Sequence, residues 1–311
     1  MNKTYRNFLL LFIIITMILL FFLNKYNKII EQNQTDILVS NKIKIVENEL
    51  LHQKNQALSL SILFSQNQNI VTFLEKNDQK KLKVELVKLL SNIKNYTSIY
   101  NIQVQVHTKE LEVFVRSWED EDLGLSLKEF RKGLVKVKET EEPFVSNELG
   151  KRFNIKAISP IFDKDKEYIG SIEVIIDYSD LKNRLKYMGI EIIPLLEKKY
   201  LKIAQYHKEN QLLHEYVVLK EEYDKNFFHI LQENKNYISN EFFYYEIKNK
   251  IVTQIPLGNM DLESIGKLMI YFDKNEQDYK YLPRYEYLGE INSKSDSKNS
   301  NTKQKKEIII K

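Results

Sequence analysis

An apolar run near the N-terminus constrains this chain more than any other feature. Residues 8–23 read FLLLFIIITMILLFFL, in which Thr16 is the single polar residue. Tyr5 and Tyr26 flank the run where aromatic residues stand at a membrane interface, and basic residues lie beyond them. With these flanks the segment reaches the roughly 20 residues that a helix needs to cross a bilayer. Residues 8–26 are therefore predicted to form a transmembrane anchor.

The alternative to an anchor is a signal peptide that is removed. Lys3 and Arg6 suit a signal peptide, but no small-x-small cleavage site follows the apolar run. We therefore expect an uncleaved single-pass protein of the bacterial inner membrane. Residues 1–7 would remain in the cytoplasm, and the bulk of the chain would be periplasmic or extracellular.

The composition excludes several other classes of protein. With 43% apolar residues the chain can bury a core, which excludes a fully disordered protein. No cysteine occurs, which excludes disulfide scaffolds and cysteine zinc sites, and the glycines form neither a P-loop nor a dinucleotide-binding motif. The net charge of +4 lies in residues 292–311, which hold six lysines and two acidic residues (6 − 2 = +4). The remainder is neutral, so we expect no nucleic acid partner.

Residues 27–77 have the pattern of one long stalk helix. They contain no glycine or proline, and several apolar residues share one narrow face at heptad spacing. A narrow apolar seam suits pairing with one neighbouring helix, so we expect a dimer formed along residues 27–65. The residues of the predicted seam are Ile30, Ile37, Leu38, Ile45, Leu51 and Leu58.

The sequence beyond the stalk predicts two α+β modules. In residues 78–180 a helix capped by Asp78 precedes a strand pair, a helix starting at Ser126 with a capping box, and a second strand pair. Residues 181–278 are assigned to a second module that begins with a helix reaching about Tyr206 and continues in strands. Residues 279–311 are expected to be an extended, disordered basic tail.

Two predicted hairpins place polar side chains on one face of the first sheet. A hairpin closing at residues 108–111 sets Gln103 opposite Arg116, and directly opposed residues share a face. A second hairpin closing at residues 163–166 sets Lys156 opposite Glu173. The face formed by the first hairpin carries Gln103, Gln105, His107, Phe114, Arg116 and Trp118.

Several short motifs in this region match a known pattern. They are VQVHT (104–108), VFVRSW (113–118), LGLSLKEFRKGL (123–134), a Glu–Gly stretch (148–150), KAISPIFD (156–163) and YIGSIEV (168–174). Together, over about seventy residues, they resemble the membrane-distal module of double Cache sensor domains, the extracytoplasmic ligand-binding regions of bacterial chemoreceptors, sensor kinases and diguanylate cyclases.

The resemblance implies an α+β fold in which the transmembrane and stalk helices lead into two Cache-like (PAS-like) modules with antiparallel sheets. It also implies a ligand site formed by Arg116, Trp118, His107, Lys156, Glu173 and Gln105. Lys156 departs from the family, which usually has Arg there, and a lysine lacks the bidentate fork of a guanidinium. Each role has an alternative: Arg116 stacked on an aromatic ring at the surface, His107 as a structural residue, and Lys156 with Glu173 as a cross-strand ion pair.

We therefore expect a membrane-anchored extracytoplasmic sensor or binding domain for a small, carboxylate-bearing ligand. No nucleophile, metal or phosphate motif is recognisable, so we expect neither an enzyme nor a cofactor. The sequence shows no output domain, so signalling would proceed in trans, through a homodimer or a heterodimer with a full-length Cache receptor. The alternative is a structural or adaptor protein with a degenerate Cache fold that assembles through its long helix. A polar face filled by side chains would favour the adaptor, and an open cavity at Arg116 would favour the sensor.

The predicted topology is tested by reporter fusions after Lys311. Because nothing beyond residue 26 is apolar enough to return through the bilayer, a reporter that works only in the periplasm should be active there. Activity of a cytoplasmic reporter at the same position would contradict this topology.

Overall fold

The predicted anchor and stalk form one continuous helix, α1 (Lys3–Ser65), in a computed structural model of the chain. The structure describes residues 3–97, 99–129, 131–220, 223–239, 243–261 and 263–275, and the predicted basic tail lies outside these ranges. The apolar side chains of residues 8–23 are all exposed. Within the described ranges α1 is the one helix that is long and apolar enough to span a bilayer, which supports a single-pass membrane protein.

Beyond the anchor, one face of α1 is buried against the rest of the chain. The buried residues recur at spacings of three, four or seven positions, as expected for one face of a helix. They are Thr35, Val39, Lys42, Val46, Gln53, Ala57, Ser61 and Phe64. Hence α1 is an integral part of the folded domain, and the expectation of a projecting stalk is wrong.

The prediction that this helix continues to residue 77 is also wrong. The helix ends at Ser65, and a new helix, α2 (Gln68–Glu75), begins after Asn67, whose side chain accepts the backbone N–H groups of Asn69 and Ile70. Asparagine is a favoured N-cap residue, and this signal was overlooked in the sequence.

The helix predicted after Asp78 is confirmed. α3 (Gln79–Tyr96) begins where the Asp78 carboxylate accepts the backbone N–H of Lys81 at 3.1 Å. Leu82, Leu86 and Leu90 recur every four residues and bury one face of α3 in the main core. The local cap and the leucine spacing were therefore sufficient to define this helix.

The first module contains a five-stranded antiparallel sheet. Its elements are β1 (Ile102–Thr108), β2 (Val113–Arg116), α4 (Lys132–Thr140), β3 (Phe144–Glu148), β4 (Asn154–Phe162) and β5 (Tyr168–Ile176), with strand order β2-β1-β5-β4-β3. Helices α1 to α3 pack on this module from one side, and α4 packs against β3, β4 and β5. A small apolar cluster lies beneath α4, formed by Leu111, Val113, Leu127, Leu134, Val137 and Ile158.

The second module contains a six-stranded antiparallel sheet. Its elements are α5 (Ser179–Tyr187), β6 (Glu191–Glu197), β7 (Leu212–Leu213), β8 (Tyr216–Val218), α6 (Lys225–Glu233), β9 (Tyr245–Ile247), β10 (Lys250–Gly258) and β11 (Ser264–Asp273), with strand order β7-β8-β6-β11-β10-β9. Helix α6 belongs to an apolar cluster that includes stacked Phe227 and Tyr271. The two antiparallel sheets confirm the predicted α+β fold class.

Two predicted helices have the wrong extent. The helix expected from Ser126 begins at Lys132, because Ser126 instead forms a β-bridge with Glu112. The helix expected to reach Tyr206 ends at Tyr187, and the apolar residues after Gly189 form β6, an inner strand of the second sheet. A strand buried on both faces has no periodicity that distinguishes it from a buried helix.

The packing of α3 gives a stability prediction. Leu82 is fully buried, whereas Val84 on the same helix is 69% exposed. Leu82→Ala should lower the free energy of unfolding by about 2–5 kcal/mol, because it removes buried methyl groups and leaves a cavity. Val84→Ala should change it by less than about 0.5 kcal/mol. Denaturant unfolding of the full chain in detergent measures both, and equal effects would place α3 outside the core.

Candidate ligand site in the first module

Both hairpins of the first module close two residues away from the predicted register. Gln105, instead of Gln103, is paired with Arg116, and Glu173 is paired with Ile158 instead of Lys156. The sequence did not indicate the register irregularities that follow Val106 and Ile161. Because the shift at these pairs is an even number of residues, it leaves Gln105, Arg116 and Glu173 on the face that was predicted. Beyond the irregularity in the first hairpin the pairing changes by one residue, and Phe114, which was predicted on the polar face, lies in the main core.

Five of the six predicted site residues lie in one buried polar layer of the first sheet. The sixth, Trp118, is half-buried, and its ring centroid lies 5.7 Å from the Arg116 guanidinium carbon. The five buried residues are Gln105, His107, Arg116, Lys156 and Glu173.

Acceptors from its own chain bind the Nε and Nη1 atoms of Arg116. Its Nε donates to the side-chain oxygen of Gln105 at 2.9 Å. Its Nη1 donates to Glu119 Oε1 at 2.6 Å, to Asp122 Oδ2 at 2.8 Å and to the carbonyl of Glu121 at 3.2 Å. Hydrogen bonds from Lys151 and Arg116 lower the pKa of Asp122. The expected carboxylate-binding cation is thus neutralised by the loop that follows β2.

His107 is a neutral, hydrogen-bonded residue of this layer. Burial, assisted by the charges of Arg131 and Arg116, holds the pKa of His107 well below its ordinary value of 6.5. The neutral ring then accepts from the Gln105 amide at 2.6 Å and donates from Nδ1 to Ser171 Oγ at 3.1 Å. His107 therefore positions Gln105, which in turn orients Arg116.

Arg131 is a central residue of the layer that the sequence analysis missed. It stands at the start of α4, and its Nη2 donates both to Glu148 Oε2, at 2.9 Å, and to Glu173 Oε1. Burial opposes its charge, but the two carboxylates raise the pKa of Arg131 above its ordinary value. Glu148 Oε1 also accepts the backbone N–H of Gly133 at 2.9 Å, which joins α4 to β3.

Lys156 is a buried cation without a bonded partner. Its side chain makes no hydrogen bond or ion pair with any residue that the structure describes, although the residue is only 4% exposed. The expected ion pair with Glu173 is absent because Glu173 binds Arg131. Burial, and secondly the charge of Arg131, lower the pKa of Lys156 to about 8. The Nζ atom lies so close to Gly150 that a Cβ there would be 2.7 Å away.

Two further polar atoms beside Lys156 are unsatisfied. Within the described ranges, Glu173 Oε2 and Arg131 Nε are buried and have no hydrogen-bond partner. Glu173 pairs with Ile158, two residues from Lys156 on the same face of β4, and it also binds Arg131, so the three groups belong to the same layer. The layer therefore contains two donors without a partner, Lys156 Nζ and Arg131 Nε, and one acceptor without a partner, Glu173 Oε2. Polar groups in the interior of folded proteins are rarely left without a hydrogen bond. Among the described residues, no group of three metal-ligating side chains is close enough to hold an ion.

The sequence match identifies the family. Residues 33–199 match the family of the double sensory domain of two-component sensor kinases, a double Cache family. The match covers more than half of the 311 residues, and the chain belongs to this family. A search of curated protein sequences gives no significant match.

Several solved sensor domains align with most of this chain at low sequence identity. The Vibrio cholerae histidine kinase DctB sensor domain is 10% identical, with 78% of this chain and 100% of that chain covered and a TM-score of 0.46. A sensory box/GGDEF family domain from Vibrio parahaemolyticus is 13% identical, with coverages of 79% and 98% and a TM-score of 0.47. The Campylobacter jejuni chemoreceptor Tlp3 ligand-binding domain, solved with L-norvaline, is 18% identical, with coverages of 77% and 92% and a TM-score of 0.41. The family assignment rests on the sequence match.

The buried amine gives a pH prediction. Lys156 has a pKa of about 8 in the folded protein and an ordinary value of 10.5, so between these values the unfolded chain binds more protons. The unfolding free energy of the native protein, relative to Lys156→Met, should therefore rise between pH 8 and pH 10.5, by about 3 kcal/mol in total. The free energy of unfolding is measured by denaturant for both proteins across this pH range. If it changes with pH in the same way for both, the lowered pKa of Lys156 is contradicted.

Proposed function

We propose that the chain is a membrane-anchored extracytoplasmic sensor whose first module binds a small carboxylate-bearing ligand. The observation that carries the proposal is the amine of the buried residue Lys156, which has no bonded partner among the described residues and shares a sheet face with the unsatisfied Oε2 of Glu173. An isolated buried charge costs several kcal/mol unless it is paired. A ligand carboxylate at Lys156 would offset this cost and would also accept from Arg131 Nε.

The unsatisfied atoms favour a ligand that bears a donor as well as a carboxylate. Glu173 Oε2 requires a donor, which an amino or hydroxyl group beside the carboxylate would supply. The charges of Arg131 and Lys156 already balance those of Glu148 and Glu173. A zwitterionic amino acid adds no net charge to this balance, so amino acids fit the layer best, and hydroxy acids come second.

A catalytic function for this layer has less support. His107 and Ser171 are in contact at 3.1 Å, which superficially resembles a base and a nucleophile. Both residues are fully buried, and a histidine whose pKa lies well below 6.5 is a weak general base at neutral pH. The pair is better explained as a structural support for Gln105.

The ligand site is tested by thermal-shift screening of the full chain in detergent against L-amino acids and small organic acids. A ligand that binds the native state raises the unfolding temperature by mass action. Lys156→Met and Arg116→Ala should each weaken binding of the identified ligand about tenfold or more, because each removes a charge-assisted contact.

The matched control is Lys164→Met, the same change at an exposed turn. This variant should bind like the native protein. Unchanged affinity in folded Lys156→Met and Arg116→Ala variants would contradict the location of the site.

The second candidate function is an adaptor with a filled Cache fold. It is favoured by the ion pairs of Arg116 with Glu119 and Asp122, which fill part of the polar face with the chain's own side chains. An adaptor leaves the Lys156 amine unexplained, and for this reason we rank it below the sensor. A screen in which no amino acid or organic acid raises the unfolding temperature would reverse this order.

We further propose that the sensor dimerises through α1, with a second copy or with a full-length Cache receptor. Only part of the predicted seam is available, because Leu38, Ile45 and Leu58 pack against the chain's own core. On the opposite side of the helix, Ile37 is 62% exposed and Leu51 is 55% exposed, which leaves an apolar surface for a partner.

Cysteine cross-linking in membranes tests the dimer, since the sequence has no native cysteine. Ile37→Cys and Leu51→Cys should each form a disulfide-linked dimer on oxidation. Val84→Cys, equally exposed but on α3, is the control and should remain monomeric. Cross-linking of the control to the same extent, or of none of the three, would reject pairing through α1.

A further inference from the structure

Asp122 connects the candidate ligand site to a second cation. Its Oδ2 accepts from Arg116 Nη1 at 2.8 Å and also from Lys151 Nζ. It lies in the turn after β2, where its backbone has a left-handed φ of 58°. The carboxylate is thus held between the site and residues 149–153, the loop that joins β3 to β4 (the β3–β4 loop).

The β3–β4 loop also contacts the second module. The carbonyl of Lys151 accepts the backbone N–H of Tyr206 at 3.1 Å, and the Arg152 guanidinium lies 4.5 Å from the centre of the Tyr206 ring. The backbone N–H of Phe153 donates to His207 Nε2 at 3.4 Å. Burial lowers the pKa of His207 to about 4, so its ring is neutral and can accept this bond at neutral pH. Three consecutive residues, Lys151, Arg152 and Phe153, therefore contact the second module.

The acidic side chains on Arg116 occupy its Nη1 atom, where a ligand carboxylate would compete with them. Arg116 Nη1 already donates to Glu119, Glu121 and Asp122, so an anion that binds at Nη1 has to replace one of these acceptors. Asp122 is the acceptor whose replacement has a distant consequence, because it also holds Lys151. Glu119 has no such second cation among the described residues.

We propose that Asp122 is a latch: an anion that takes Arg116 from Asp122 also frees Lys151 and loosens the β3–β4 loop from the second module. The latch rests on the proposed function, since it assumes that the ligand anion reaches Arg116. Through the latch, ligand binding in the polar layer would change the contacts of the β3–β4 loop with Tyr206 and His207. The latch also makes Asp122 an internal competitor that lowers the apparent affinity for the ligand.

Hydrogen exchange of the full chain in detergent tests the latch without any ligand. The informative amides are those of Phe153 and Tyr206, which donate across the contact between the modules. Asp122→Asn should speed their exchange about tenfold, because a charge-assisted contact that restrains the loop is lost. Lys151→Met removes the other partner of the same contact and should have the same effect.

The matched control is Glu121→Gln, which makes the same charge change one residue away. Glu121 contacts Arg116 only through its backbone carbonyl, which the substitution leaves in place. Exchange in this variant should equal that of the native protein. Equal exchange of the two amides in native protein, Asp122→Asn and Lys151→Met would overturn the latch.

A second arm with sodium acetate separates the latch from the proposed function. In native protein, acetate should speed exchange of the Phe153 and Tyr206 amides, whereas sodium chloride at the same concentration should not. In Asp122→Asn, acetate should add nothing, since the latch is already open. If the variants open the loop but acetate has no effect on the native protein, the restraint of the loop by Asp122 and Lys151 stands, and its release by an anion at Arg116 is contradicted.

Discussion

The first module depends on one guanidinium. Arg131, at the start of α4, binds Glu148 on β3 and Glu173 on β5, two strands that are separated by β4. This contact joins the covering helix to the sheet and allows a polar layer to exist in the interior. Removing one partner of such a buried set leaves an uncompensated charge, which typically costs about 3–5 kcal/mol. The lack of a bonded partner for Lys156 follows from the same arrangement, because Arg131 binds the Glu173 carboxylate that Lys156 would otherwise bind.

The two cations of the candidate site are therefore in opposite states. Arg116 is neutralised by Glu119 and Asp122 from its own loop, whereas Lys156 has no bonded partner among the described residues. At Lys156 a ligand carboxylate would find a cation without a bonded partner. At Arg116 it would have to compete with Glu119 and Asp122. This asymmetry explains how one layer can be both filled by side chains and suited to a further anion. In the latch proposed above, the acidic loop would convert occupancy of the site into movement of the β3–β4 loop.

Local patterns predicted the elements that depend on local interactions. The Asp78 cap and the leucine spacing defined α3, and period-two alternation placed Gln105, His107 and Arg116 on the correct face. The register could not be derived, because β-bulges after Val106 and Ile161 leave no signal in a single sequence. Neither could the Arg131–Glu173 pair, which joins residues 42 positions apart in the chain. The motif resemblance covered both residues but did not indicate that they meet.

The most direct test of the central claim uses Trp118, the single tryptophan in the sequence. Its ring lies 5.7 Å from the Arg116 guanidinium carbon, so an anion that replaces Asp122 there changes the surroundings of the indole. Its emission should be recorded while a ligand that raises the unfolding temperature is titrated into the full chain. The account predicts a saturable change in emission whose midpoint equals the calorimetric dissociation constant. Constant emission throughout a titration in which calorimetry shows binding would place the ligand elsewhere and contradict the account.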